Sequence, residues 1–97
     1  MPGRVRVTAD GAVLTSGKPV RLFSATIKSL ESGSGVATFH NGTAATDAED
    51  ARINGIAGTS PAPTNFGACG KFFPDGLYVD LDADVQYLDL DVELVQA

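Results

Sequence analysis

The chain of 97 residues has no tryptophan, one cysteine and one histidine. It also lacks any apolar run approaching the roughly 18 residues that cross a bilayer. Each absence removes a class of explanation. Cys69 alone cannot close an internal disulfide, so the fold is not stapled in the way small secreted domains are. It lies among small residues in Phe66-Gly67-Ala68-Cys69-Gly70, which reads as a buried, inert thiol, because activation needs a nearby cation or helix N-terminus and a base. Cys69 with His40 would be the sole Cys–His pair, yet neither sits in a motif that could form an oxyanion hole or orient an imidazole. No enzyme activity and no cofactor are expected. There is no apolar stretch behind the first basic residues, so the expectation is a soluble protein made in the cytoplasm, without a membrane partner.

What is present points to β-structure. From Leu77 onward, through YVDLDADVQYLDLDVELV, apolar residues alternate with acids: Leu88, Leu90, Val92 and Leu94 share one parity, Asp89, Asp91 and Glu93 the other. Successive side chains of a strand point to opposite faces, so this is a strand with one apolar and one charged face. Eleven glycines, five prolines and an apolar fraction of 43% suit a small turn-rich domain. A chain of this length buries only about 60 to 70% of its unfolded surface, enough for one core.

The rest of the chain divides into short strands and turns. Arg4 to Thr8 and Ala12 to Thr15 read as strands joined at Asp10-Gly11, a hairpin-turn signal. Val20 to Ile27 reads as a central strand with Val20, Leu22 and Ser24 on one face and Arg21, Phe23 and Ala25 on the other. A Ser32 to Gly35 loop precedes a strand from Val36 to Phe39, which ends at the turn Asn41-Gly42. Ala44 to Arg52 carries the capping-box spacing Thr46/Glu49 but almost no large apolar side chain, so it reads as a loop or one helical turn. Ile53 to Ile56 reads as a short strand and Gly58 to Asn65 as a long loop. Lys71 to Phe73, Gly76 to Asp80 and Val85 to Val95 close the chain as strands. About eight strands at such intervals predict an all-β, single-domain antiparallel β-sandwich or jelly-roll-like fold over residues 1–97.

Charge is divided unevenly. Residues 1–30 carry five basic residues against one acid, and residues 31–97 carry two against eleven. Either the first and last strands pair and the charges meet inside the fold, or a positive surface docks on a negative partner. Five scattered cations without interleaved aromatics do not make a nucleic-acid footprint, and no nucleic-acid partner is expected.

Three motifs have simpler structural readings. Asp80-Leu81-Asp82-Ala83-Asp84 has the spacing of a calcium loop, but Val85 stands where that loop needs glycine and the flanks are strands, so no metal site is expected. A solvated, repulsive strand face with a turn near Ala83-Asp84 accounts for it. Asn41-Gly42-Thr43 matches a glycosylation acceptor and reads as a turn. Phe72-Phe73 before Pro74-Asp75-Gly76 reads as one core and one rim aromatic at a turn.

Taken in order, Arg21-Leu22-Phe23-Ser24-Ala25-Thr26-Ile27, then Val36-Ala37-Thr38-Phe39-His40-Asn41-Gly42-Thr43, then Phe72-Phe73-Pro74-Asp75-Gly76-Leu77-Tyr78-Val79-Asp80 resemble small β-sandwich proteins that decorate or cement tailed-phage capsids. The likeness covers residues 20–92 and lies in the order of strands and turns. It implies a non-enzymatic virion protein on the outer capsid surface, synthesised in the host cytoplasm. Its implied partners are the major capsid protein, whose neighbouring subunits it would bridge, and itself, as a homotrimer or less often a dimer. A tail, fibre or spike component, or a glycan-binding β-sandwich module, is the alternative. The lack of tryptophan weighs against a glycan platform. The chain ends fall outside the resembling pattern, with residues 1–16 expected as a docking or strand-exchange arm. Arg4, Val5, Arg6, Val7 and Arg21 are the expected partner-interface residues.

Overall fold

The computed structural model describes residues 3–14, 17–31, 33–44, 46–55 and 61–95. Nine strands follow in chain order: β1 (Gly3–Val7), β2 (Gly11–Val13), β3 (Val20–Ser29), β4 (Val36–Asn41), β5 (Ala48–Asn54), β6 (Ala62–Asn65), β7 (Lys71–Phe73), β8 (Leu77–Leu81) and β9 (Val85–Leu94). All pairings are antiparallel. One sheet has the order β1-β9-β3-β6, with β7 also on β3, and the other has the order β2-β8-β4-β5. The chain is an all-β sandwich, and no helix among the described residues is long and apolar enough to cross a membrane.

The alternation in the last strand does what period-two spacing requires. Leu88, Leu90 and Val92 of β9 are buried, and the facing sheet contributes Val13, Ala37, Phe39, Ile53, Leu77 and Val79 to the same core. Leu94 keeps the inward parity but lies at the end of the sandwich and is exposed. Phe73 is fully buried while Phe72 is exposed, one core and one rim ring. Phe66, from the segment after β6, meets Phe39 edge to face at 6.2 Å and closes that side of the core.

The parity expected for β3 changes part-way along it. Leu22 pairs with Val92 and Ser24 with Asp91, leaving Phe23 as an extra residue. This β-bulge inverts the alternation, so Val20 and Leu22 point inward before it and Ala25 and Ile27 after it. Ser24 thereby faces outward beside an acid instead of inward beside Leu22.

Three further expectations are corrected. Asp10-Gly11 does not close a hairpin: β1 pairs with β9 and β2 with β8, so the chain crosses between sheets at this corner. Asp10 holds the crossing by accepting the Leu81 amide on Oδ1 at 2.7 Å. Ala48 to Arg52 is part of edge strand β5, neither loop nor helical turn. Asp47 supplants the capping box, its Oδ2 accepting the amides of Thr43 and Ala44, and β5 is held by main-chain pairing to β4. Finally, Ala62–Asn65 is a strand within the expected loop, where Pro63 is tolerated because β6 lies at a sheet edge. Ile56 and residues 57–60 lie outside the described residues.

Two glycines are demanded by close approach. Gly76 has φ +109° in the turn after Phe73, and a side chain there would press on Gly17 and Gly42 backbone at 3.0 Å. A Cβ on Gly55 would collide with the hydroxyl of Ser29, which is buried and accepts the Gly35 amide at 2.8 Å.

The core makes a direct prediction. Leu90→Ala removes a fully buried side chain at the centre of β9 and should cost about 2 to 5 kcal/mol in urea unfolding, whereas Leu94→Ala at the exposed end should cost well under half of that.

Candidate functional site

The strand β1 gives one edge to β9, in the register Arg4 with Asp91, Val5 with Leu90 and Arg6 with Asp89. Among the described residues, no strand pairs with its other edge. Alternation divides its side chains: Val5 and Val7 pack against the core, and Arg4 and Arg6 stand on the outer face. The structure thus brings four of the five expected interface residues onto a single edge strand. Arg21 is on the outer face too, but two strands away on β3.

The arginines meet the acids of β9. Arg6 forms a two-pronged pair with Asp89, Nε to Oδ1 at 2.8 Å and Nη2 to Oδ2 at 3.0 Å, and its guanidinium lies 4.0 Å from the centre of the Tyr87 ring. Arg4 approaches Asp91 at 3.5 Å, and the second oxygen of Asp91 accepts the Ser24 hydroxyl at 2.8 Å. Charge division along the sequence therefore closes in space, and this part of the acidic face is compensated, not repulsive. The pairing uses the acids far more than the bases. Asp89 keeps 12% of its side-chain exposure, while Arg6 keeps 59% and Arg4 67%.

The hydrogen bond from Arg6 is the main cause holding the Asp89 carboxyl below the usual aspartate range; the charges of Arg6 and Arg4 add to it, and burial opposes them. The same bond raises the guanidinium of Arg6. Arg21 instead donates to the Cys69 carbonyl at 2.9 Å and lies 5.2 Å from the Phe72 ring centre. It ties β3 to the loop between β6 and β7.

Two grooves flank this surface. One, of about 260 Å³, runs along the open side of the sandwich between β1 and β2 and is lined by Val5, Val7, Val13 and Leu14 together with the polar Arg6, Thr8 and Asp10. Leu14 is exposed and has φ +62°, a left-handed conformation uncommon for a residue with a side chain. The other, a shallow groove of about 500 Å³, lies on the outer face at the bulge and is lined by Phe23, Ser24, Asn65, Gly67, Ala68 and Asp91. Neither groove was visible in the sequence. Both depend on which strands become edges and where β3 bulges.

The remaining candidates separate. Cys69 is exposed in the loop following β6, contrary to the buried thiol expected from its small neighbours. His40 is buried on β4 in the other sheet, with Nδ1 3.0 Å from the Asp47 carbonyl and Nε2 without a partner among the described residues. No hydrogen bond or ring contact joins these two residues. β8 ends at Leu81, so Asp80, Asp82 and Asp84 do not share a strand face; Asp82 instead accepts the Asp84 amide at 3.0 Å in a turn. Among the described residues, no three His, Cys, Asp or Glu side chains converge as metal ligands.

Comparison with known proteins finds no matching family, no related characterised sequence and no similar solved structure.

The Arg6–Asp89 pair predicts a pH dependence with a definite sign. Because the folded carboxyl is held below its unfolded value of about 3.9, the pair's contribution is complete above that value and disappears as pH falls through the lowered one. Arg6→Gln should lower the urea midpoint near neutrality, and the gap to the native chain should shrink steadily below about pH 4. A gap that shows no narrowing at all as the pH falls through the acid range would show that Arg6 acts through packing on Tyr87, not through charge.

Proposed function

We propose that the chain is a non-enzymatic structural protein of a tailed-phage virion, decorating and cementing the assembled capsid by bridging neighbouring major capsid subunits. The observation that carries this reading is β1: a short edge strand with two exposed arginines, main-chain groups on one side that no strand among the described residues pairs with, and a groove of mixed polarity beside it. Unpaired main-chain groups can accept a further strand, and the short length and arginines of this edge restrict that strand to one of complementary charge. The β-sandwich fold and the order of turns that resembles capsid decoration proteins support the same reading.

The physical logic of cementing suits a domain of this size. A protein that binds the joined state of capsid subunits but not the separated state stabilises the shell by mass action. Each copy needs only a modest interface, because a homotrimer engaging several sites gains roughly 10² to 10⁴ in apparent affinity. Self-association also enlarges the buried area available to a short chain.

A second reading rests on the shallow outer groove. Phe23 offers an aromatic surface beside the amide of Asn65 and the carboxylate of Asp91, a combination that suits a glycan ligand and so a tail or fibre component.

Labelling the protein on purified particles separates the two. Regular copies over the head, together with DNA loss at lower temperature from particles lacking the protein, are expected for a cement protein. Label confined to the tail would overturn this reading and favour the second.

A further inference from the structure

We propose that the free edge of β1 accepts an extended strand from its partner in which carboxylates alternate with apolar residues, adding one strand to the β1-β9-β3 sheet. This rests on the reading of β1 as the docking strand, and it specifies the chemistry of what docks.

β1 already holds one strand of the complementary kind. Against β9, Arg4 stands opposite Asp91, Val5 opposite Leu90 and Arg6 opposite Asp89. Side chains on β1 alternate irrespective of which edge is considered, so a strand on the free edge meets the same order: cation, apolar, cation, apolar. The complement of that order is acid, apolar, acid, apolar. Cross-strand neighbours of opposite charge are favourable and like charges opposite one another are not.

Both arginines retain the means to bind a second carboxylate. A guanidinium has five N–H donors. Arg6 directs two toward Asp89, and Arg4 contacts Asp91 only at 3.5 Å; their side chains stay 59% and 67% exposed. Each would then lie between two carboxylates, one from β9 and one from the partner. On the inward parity, the partner's apolar side chains would extend the row of Val5 and Val7 and enter the groove of about 260 Å³ that also includes Val13 and Leu14. Leu14, exposed at φ +62°, is the side chain such an occupant would cover.

A second copy of the chain fits this edge less well. Two β1 strands paired antiparallel about Val5 would set Arg4 of each copy opposite Arg6 of the other. β5, the edge of the other sheet, has acids, but its Glu49 already accepts Arg52 at 2.8 Å and a bulge at Asp50, opposite Phe39 and His40, interrupts its alternation.

The chain contains a ready probe of the required pattern: a capped peptide of residues 88–94, LDLDVEL, titrated into the isotope-labelled full chain and followed by amide chemical shifts. Saturable shifts confined to β1 and residues 11–14, weakened by salt, are expected. Arg4→Glu should weaken binding by about ten-fold or more, the loss of one charge-assisted contact, and a peptide with lysine at the three acidic positions should not bind the native chain. Arg4→Gln, which removes charge without reversing it, gives the same reading if the glutamate variant folds poorly. The proposal is overturned if no shifts appear at millimolar peptide, if the lysine peptide binds the native chain equally well, or if shifts map to β5 or the Phe23 groove. It is also overturned if sedimentation without peptide shows a dimer whose interface is β1. Its failure leaves particle location untouched, and a tail location would leave peptide binding standing.

Discussion

A row of carboxylates on an internal strand must be answered by the strands beside it, and this requirement organises the sheet around β9. Asp89 is met by Arg6 from β1; Asp91 is met by Ser24 from β3 and by Arg4 from β1. Exposed ion pairs of this kind add little to stability, roughly 0 to 1 kcal/mol. More of the stability comes from the opposite face, where Leu88, Leu90 and Val92 are buried against the second sheet. What the charges supply is register. A slip of one residue would turn Asp89 and Asp91 into the core and Leu90 onto the surface.

The irregular features follow from serving that row. Without the bulge at Phe23, Ser24 would point inward and the β3 side of Asp91 would lack its hydroxyl. The same bulge opens the outer face beside Asn65 and produces the shallower groove. At the other flank, β1 and β2 part company at Asp10 and join different sheets, which leaves a cleft between two edge strands. Strand pairing in the centre and exposed edges at the flank are thus two sides of one arrangement, and β1, at one of those edges, carries the arginines.

Legibility in the sequence tracked how local each feature is. The face of β9 was readable because period-two alternation is a property of adjacent residues. The turn at Gly76 and the division of Phe72 from Phe73 were readable for the same reason. β5 was not, since Ala48, Glu49 and Asp50 bury nothing and the strand exists through main-chain pairing with β4. Nor was the bulge, because a one-residue insertion relative to a partner 67 positions away leaves no mark on β3 itself. Asp10-Gly11 carries a turn signal that suits a hairpin and a crossing between sheets alike. The expected docking residues Arg4 to Val7 converged on one strand, but that this strand would be an edge depended on the order of the whole sheet.

These relations give the chain a charged strand braced by an acidic neighbour, backed by a small core and paired on one side only among the described residues. The proposed docking rests on the claim that β1 is paired on one side and open on the other. Residue-resolved hydrogen exchange of the isolated chain tests it most directly. Amides of Leu88 to Val92 should be protected throughout, whereas those of Arg4 to Val7 should alternate between protected and fast-exchanging. Uniform protection along β1 would mean that its outer edge is covered, and uniform fast exchange would mean that it does not dock on β9; either result contradicts the claim.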